Sequence, residues 1–149
     1  MTRAPTRRGR GPRSVQTRDG TSAVVARIWG LSQRYDLGDP HDLVGMSAPD
    51  FELADATRLG ARLQRARGLL LDFANDASLA DLAGGWTSRV DYVSSGARDT
   101  LGLRALLIRP DGVVAWVAEA SPDLDAAVRA LRRWFGDPTD MFEPERTVR

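Results

Sequence analysis

The residues that this 149-residue chain lacks exclude several kinds of chemistry. It has no cysteine, so disulfides, thiolate catalysis and cysteine metal sites are excluded. His41 is the only histidine, so a histidine-rich zinc site cannot form, and a Ser-His-Asp triad would have to use this one loop residue. The sequence contains no stretch of 18 apolar residues that would predict a membrane span, and the N-terminus lacks the apolar core of a secretory signal. We therefore expect a cytoplasmic protein with no membrane partner.

Lysine is absent too, and all 21 basic residues are arginine. Residues 1–34 carry eight Arg and one Asp, a charge of +7, whereas the other 115 residues carry 13 Arg and 19 acids, a charge of −6. Arginine clusters can neutralise phosphates, but residues 1–21 contain no aromatic side chain for base stacking, and the rest of the chain is acidic. We therefore expect no nucleic-acid partner. Residues 1–21 also contain too few apolar side chains to offset their ordering entropy, which predicts a disordered leader.

An apolar stripe runs through residues 22–33. Val24, Ile28 and Leu31 recur at helical spacing, with Val25 and Trp29 beside them, which predicts a short amphipathic helix. The following residues, rich in Gly, Asp and Pro, predict an ordered connector.

Strand and helix patterns alternate after the connector. The predicted elements are, in chain order, a strand at 50–53, a surface helix over 57–68 closed by Gly68, a covered strand at 69–73, a helix over 78–86 stopped by Gly84 and Gly85, and a strand within 88–95.

A hairpin and a helix complete the ordered part. In the stretch LLIRPDGVVAW (106–116), Arg-Pro-Asp-Gly predicts a type I turn in which Gly112 is left-handed and closes a bulge, so the strands ending at Ile108 and starting at Val113 pair antiparallel. Ser121 is predicted to cap the last helix, which Gly136 ends. This order is the outline of an α/β protein with a thioredoxin-like sheet and flanking helices. We expect it to span residues 22–137, with a flexible tail at 138–149.

The position where a thioredoxin-like sheet carries its redox site contains Phe73-Ala74-Asn75-Asp76-Ala77-Ser78, without sulfur, so disulfide exchange is excluded. Asp72 stands in an otherwise apolar strand. A buried carboxylate can act as a general base, but it can equally pair with an arginine or cap a backbone group, and the second interpretation is favoured. We assign no catalytic, cofactor-binding or metal-binding residue.

Three other features have structural interpretations. Arg89 and Asp91 share a strand face and are expected to pair, and His41 is expected to be exposed or to cap its loop. The four tryptophans are expected to be core or interface aromatics rather than a ligand cage: Trp29, Trp86, Trp116 and Trp134.

Several segments together resemble the C-terminal domain of FAD-dependent aromatic-ring hydroxylases, the group A flavoprotein monooxygenases that tailor aromatic polyketides and are related to phenol hydroxylase. The segments are RYDLGDPHDLVGMSAPDFEL (34–53), GLLLDF (68–73), GWTSRVDYV (85–93), ALLIRPDGVVAW (105–116) and LRRWFG (131–136). The resemblance covers about residues 22–136. One departure is His41-Asp42-Leu43, where the family usually has His-Pro-Leu.

The resemblance implies a thioredoxin-like domain without redox cysteines that packs against an oxygenase core. In that family FAD and substrate are held by upstream domains, and NAD(P)H is the reductant, so this chain is expected to bind none of these cofactors. We expect a non-catalytic packing domain, either a gene fragment or a separate subunit. Its partner would be an oxygenase core or a second copy, contacted through the stripe of residues 22–33. The alternatives are a redox-dead thioredoxin-like adaptor and, third, an enzyme that uses Asp72.

Overall fold

The computed structural model describes residues 33–139 of the chain. The predicted leader at 1–21, nearly all of the stripe at 22–33 and residues 140–149 lie outside the described residues. The elements are α1 (Leu59–Arg62), which continues as a 3-10 turn (Leu63–Arg65), β1 (Gly68–Asp72), α2 (Ala77–Ala83), a second 3-10 turn (Gly84–Trp86), β2 (Val90–Ser94), β3 (Ala105–Ile108), β4 (Val114–Ala118) and α3 (Leu124–Phe135).

The four strands form one mixed sheet in the order β2-β1-β3-β4. β1 and β2, joined through α2, are parallel with Leu70 opposite Tyr92. β3 is antiparallel to both β1 and β4. A crossover through a helix followed by a hairpin and a packing helix is the connectivity that the sequence predicts, and the α/β fold is confirmed.

Each face of the sheet covers a separate part of the core, because successive strand residues point to opposite sides. On one face Leu70, Val90, Leu107 and Trp116 pack under α2 and α3. On the other face the strands are covered by the connector and α1. The buried residues of this second cluster include Val44, Phe51, Leu53, Leu59, Leu69, Leu71, Leu106 and Ile108.

The hairpin between β3 and β4 forms as predicted. Gly112 has a φ of +83°, and its N–H donates to the carbonyl of Arg109, whose own N–H donates to Val113. This pair of bonds closes a type I turn with a glycine bulge. A further register shift falls beside Ile108.

Both ends of α3 are fixed by local hydrogen bonds. Asp123, not the predicted Ser121, is the N-cap, and its carboxylate accepts from the N–H of Ala126 at 3.0 Å. Asp123 immediately precedes the first helical residue, so its oxygen reaches the free N–H groups of the first turn. Gly136 ends the helix at a φ of +76°, as predicted.

Two predicted elements differ from the structure. The helix expected over 57–68 ends earlier, because Ala66 adopts the left-handed conformation at the end of the 3-10 turn. Gly68 instead starts β1 and lies under the ring of Phe135, where a Cβ would overlap that ring. The strand expected at 50–53 makes only isolated bridges, at Glu52 and Leu53, and does not join the sheet.

The connector also covers one edge of the sheet. The N–H of Gly45 donates to the carbonyl of Val114, and the N–H of Val114 donates to the carbonyl of Met46. At the other end of the described residues, Thr139 of the predicted tail donates its N–H to the carbonyl of Gly85 at 2.8 Å. Within residues 33–139, no helix combines the length and the apolar character needed to cross a bilayer.

Candidate functional site

The turn after β1 is the strongest candidate site, because Asp72 is the one charged residue among the fully buried side chains of residues 33–139. Its Oδ1 accepts from the N–H of Ala74 at 2.8 Å. Its Oδ2 accepts from the N–H of Asp76 at 2.6 Å and from the hydroxyl of Tyr92 at 2.8 Å. Three donors compensate the burial of this carboxylate.

The neighbouring residues hold the turn in one conformation. Asn75 is left-handed, with a φ of +56°, and its side-chain oxygen accepts from the hydroxyl of Ser94 at 2.9 Å. Asp76 caps α2 by accepting from the N–H of Ser78 at 2.9 Å. The turn is therefore bound to β1, β2 and α2.

Tyr92 is neutral in this arrangement. Burial, the hydrogen bond to Asp72 and the charge of that carboxylate together raise its pKa to about 12. An ionised phenolate beside a buried carboxylate would lose its hydrogen bond and be repelled. Tyr92 therefore serves as a hydrogen-bond donor.

The geometry favours the capping interpretation of Asp72. A general base needs a lone pair directed at substrate, whereas both oxygens of Asp72 already accept protein donors and the side chain is 0% exposed. No arginine partner is needed, because backbone N–H groups and a tyrosine hydroxyl supply the donors.

The residues of this turn do not fit FAD. A dinucleotide phosphate is held by free backbone N–H groups at a glycine-rich turn between a strand and a helix. Here the N–H groups of Ala74 and Asp76 are directed at the carboxylate of Asp72, whose charge would repel a phosphate. Within residues 33–139 there is also no group of three metal-ligating side chains.

The expected pair of Arg89 and Asp91 does not form. Asp91 instead pairs with Arg67, whose Nε lies 2.8 Å from its Oδ1. Arg89 donates to the carbonyls of Phe135 and Asp137 at the end of α3. The side chains share a parity, but the carbonyls at a helix C-terminus offer the guanidinium an alternative acceptor.

His41 caps its loop, as expected. Its Nδ1 accepts from the N–H of Leu43 at 3.1 Å, and its Nε2 lies 3.2 Å from Oε1 of Glu119. Asp42 lies within a hydrogen-bonded turn, in which the N–H of Val44 donates to the carbonyl of His41 at 3.0 Å.

The described tryptophans form no cage. Trp86 and Trp116 are buried in the core, and the indole N–H of Trp86 donates to the carbonyl of Gly136. The ring of Trp134 is stacked by Arg109 at 4.3 Å and by Arg133 at 4.9 Å. Trp29 lies outside the described residues.

Two surface grooves are the other candidates. A groove of about 700 Å³ between α1 and β2 is lined by residues that include Arg62, Arg65 and Val93. A smaller one, of about 370 Å³, is lined by residues that include Phe51 and Leu101. Neither set of lining residues contains a histidine, so neither groove offers an imidazole base.

The sequence did not identify Tyr92 as the partner of Asp72. One signal was available: in a parallel pair Asp72 and Tyr92 have the same parity, and both point toward α2. The register that places Leu70 opposite Tyr92 then brings the hydroxyl diagonally to the carboxylate, but that register depends on tertiary packing.

Comparisons with known proteins agree with this architecture. Residues 41–138 match the family model described as aromatic-ring hydroxylase, C-terminal. A monooxygenase of Claviceps purpurea is 45% identical over 125 residues, which cover 80% of this chain and 24% of the relative. The 12-dehydrotetracycline 5-monooxygenase/anhydrotetracycline 6-monooxygenase of Streptomyces rimosus is 42% identical over 123 residues, covering 77% of this chain and 24% of that protein.

The comparison with solved structures also identifies an aromatic hydroxylase as similar to this chain. The anhydrotetracycline hydroxylase OxyS of Streptomyces rimosus superposes with a TM-score of 0.74 and 37% identity over 83% of this chain and 27% of OxyS. The chain thus spans about a quarter of the length of the relatives that it matches. The described fold and the family match together show that this chain belongs to the aromatic-ring hydroxylase C-terminal domain family.

Proposed function

We propose that the chain is a non-catalytic packing domain of an FAD-dependent aromatic hydroxylase of polyketide tailoring. The observation that carries the proposal is the family match over residues 41–138 in a chain that spans about a quarter of its monooxygenase relatives. In this proposal FAD, NAD(P)H and the aromatic substrate are bound by an oxygenase core.

The chemistry of the turn after β1 supports a non-catalytic role. The carboxylate that was a candidate base is engaged by three protein donors. The backbone N–H groups that could hold a phosphate donate their hydrogen bonds to the same carboxylate. Asp72 then stabilises the domain, and the domain stabilises the core by burying apolar surface against it.

The partner surface that we propose is the stripe of Val24, Ile28 and Leu31. If these side chains lie on one face of a helix, as their spacing predicts, the face is apolar and needs a partner to cover it. An oxygenase core is the first candidate partner, and a second copy of the chain is the second.

The test uses the Streptomyces rimosus monooxygenase shortened by its C-terminal domain, mixed with the whole of this chain. We expect the chain to bind this core and to prolong the life of its hydroxylase activity on warming. Ile28→Asp places a charge on the stripe and is expected to abolish binding, whereas Ala26→Asp, with the same charge on the opposite side of the predicted helix, is the matched control. Binding that is unaffected by Ile28→Asp would exclude the stripe, and no binding at all would contradict the proposal.

A further inference from the structure

Within residues 33–139, the chain covers one edge of the sheet and leaves the other edge uncovered. The β4 edge is bonded to the connector through Gly45 and Met46. The β2 edge has no such cover among residues 33–139. The main-chain carbonyl of Arg89 accepts from the N–H of Gly68, and the N–H of Ser95 donates to the main-chain carbonyl of Asp72. Because main-chain groups in a parallel ladder alternate in direction, the N–H and C=O groups of Tyr92 and Ser94 then point away from β1.

This edge lacks the usual protection against pairing. Natural edge strands are commonly blocked by proline, lysine or a bulge, whereas β2 reads Val-Asp-Tyr-Val-Ser and stays in register with β1 over all five residues. Its one charge, Asp91, is paired with Arg67 at 2.8 Å. Val93 is half-buried beside the groove next to α1.

We propose that β2 pairs antiparallel with β2 of a second copy of this chain, about a two-fold axis that passes between the two Val93 residues. In this register Tyr92 and Ser94 of each copy exchange main-chain hydrogen bonds with Ser94 and Tyr92 of the other. The two Val93 side chains face each other as a close apolar pair. The two sheets join into one of eight strands, and a two-fold contact closes the assembly.

The strand's own sequence favours a second copy as the occupant. The register places Asp91 opposite Ser95 of the other copy, so no like charges meet. Registers centred on residue 91 would instead oppose two aspartates, which destabilises a pair. Residues 33–36 join the connector on the β4 side, where Arg34 donates to the carbonyl of Val44, at the edge away from β2.

The chain's own C-terminal segment is the alternative occupant. It leaves the described residues at Thr139, which is bonded to Gly85 before the start of β2. The open groups of Tyr92 and Ser94 lie in the middle and at the far end of that strand. Residues 140–149 also contain Pro144, which has no N–H to donate to a ladder with β2.

The register is tested by opposite charges at position 93, in the whole chain, by sedimentation equilibrium. Val93→Asp and Val93→Arg should each weaken self-association about tenfold or more, because like charges then meet across the axis. An equimolar mixture of the two variants should associate again, as a heterodimer, which also shows that each variant is folded.

The open edge is tested separately by proline. Ser94→Pro removes an N–H that β1 does not use and should weaken association to a similar extent, whereas Ser94→Ala keeps that N–H and should match the wild type. A wild type that is monomeric at every concentration would overturn the proposal, as would charge variants that associate normally or a mixture that stays monomeric. These measurements concern the chain alone, so their outcome is independent of whether it docks on an oxygenase core.

Discussion

The hydroxyl of Tyr92 donates a 2.8 Å hydrogen bond to the carboxylate of Asp72, and this bond joins the two parallel strands at the end where the turn to α2 begins. The carboxylate also holds the turn through two backbone N–H groups. A single buried charge thus organises the part of the sheet where the sequence places the candidate site. Its role is testable as a matter of stability.

Removing the hydroxyl should destabilise the domain without changing its fold. Tyr92→Phe leaves Oδ2 of Asp72 with one donor instead of two, so we expect a loss of about 1–3 kcal/mol in the free energy of unfolding, measured with urea. Tyr35→Phe is the matched control because Tyr35 is 48% exposed. This substitution should lower the free energy of unfolding by less than about 0.5 kcal/mol. Equal effects of the two substitutions would contradict the role of the bond.

Asp72→Asn should reduce stability and leave turnover unchanged. Whichever oxygen is replaced by the amide NH₂, that group faces a donor and cannot accept its hydrogen bond. We therefore expect the free energy of unfolding to fall by about 2 kcal/mol or more. In the complex with an oxygenase core, kcat should match that of the wild type once the domain is saturating. A large fall in kcat with normal stability would support the alternative in which Asp72 is catalytic.

Alkaline pH should destabilise the domain through Tyr92. Its pKa in the folded state is about 12, above the ordinary value of 10.0, so between these values the folded state holds a proton that the unfolded state has released. The free energy of unfolding contributed by Tyr92 is therefore complete below about pH 10 and is lost as the pH rises toward 12. Urea midpoints at both ends of this range should fall more for the wild type than for Tyr92→Phe, and parallel falls would contradict the assignment.

Two glycines should respond oppositely to alanine. At Gly68 a Cβ would overlap the ring of Phe135 and lie 3.2 Å from Cγ2 of Val90, so Gly68→Ala should cost about 1–3 kcal/mol. Gly84 is in a helical conformation, and a Cβ there meets nothing within 4 Å, so Gly84→Ala should be neutral or stabilise by up to about 1 kcal/mol. Thermal unfolding of both variants measures the difference, and a stable Gly68→Ala would contradict the packing described.

Local signals predicted those elements that local interactions fix. The hairpin turn follows from Arg-Pro-Asp-Gly, because Gly112 has the positive φ that the bulge requires, and the end of α3 follows from Gly136. The strand β1 follows from an apolar run, and β2 follows from the alternation of Val90 and Tyr92 with Arg89 and Asp91. In each case the residues that determine the conformation are neighbours in the sequence.

Long-range contacts account for what the sequence did not predict. Gly68 is not a helix end, because the ring of Phe135 needs the space above β1. The helix ends at Ala66 in a conformation that favours glycine, which no propensity indicates. Asp91 pairs with Arg67, 24 residues away, since the parallel register and not strand parity decides which side chains meet.

The most direct test of the packing role is an assay of the whole chain, alone and with the shortened Streptomyces rimosus core. Alone, the purified chain should be colourless and should neither oxidise reduced nicotinamide nor hydroxylate a phenol. Added to the core, it should increase the lifetime of hydroxylation in proportion to the core bound, and then saturate. A chain that carries flavin and hydroxylates a phenol by itself would contradict the account.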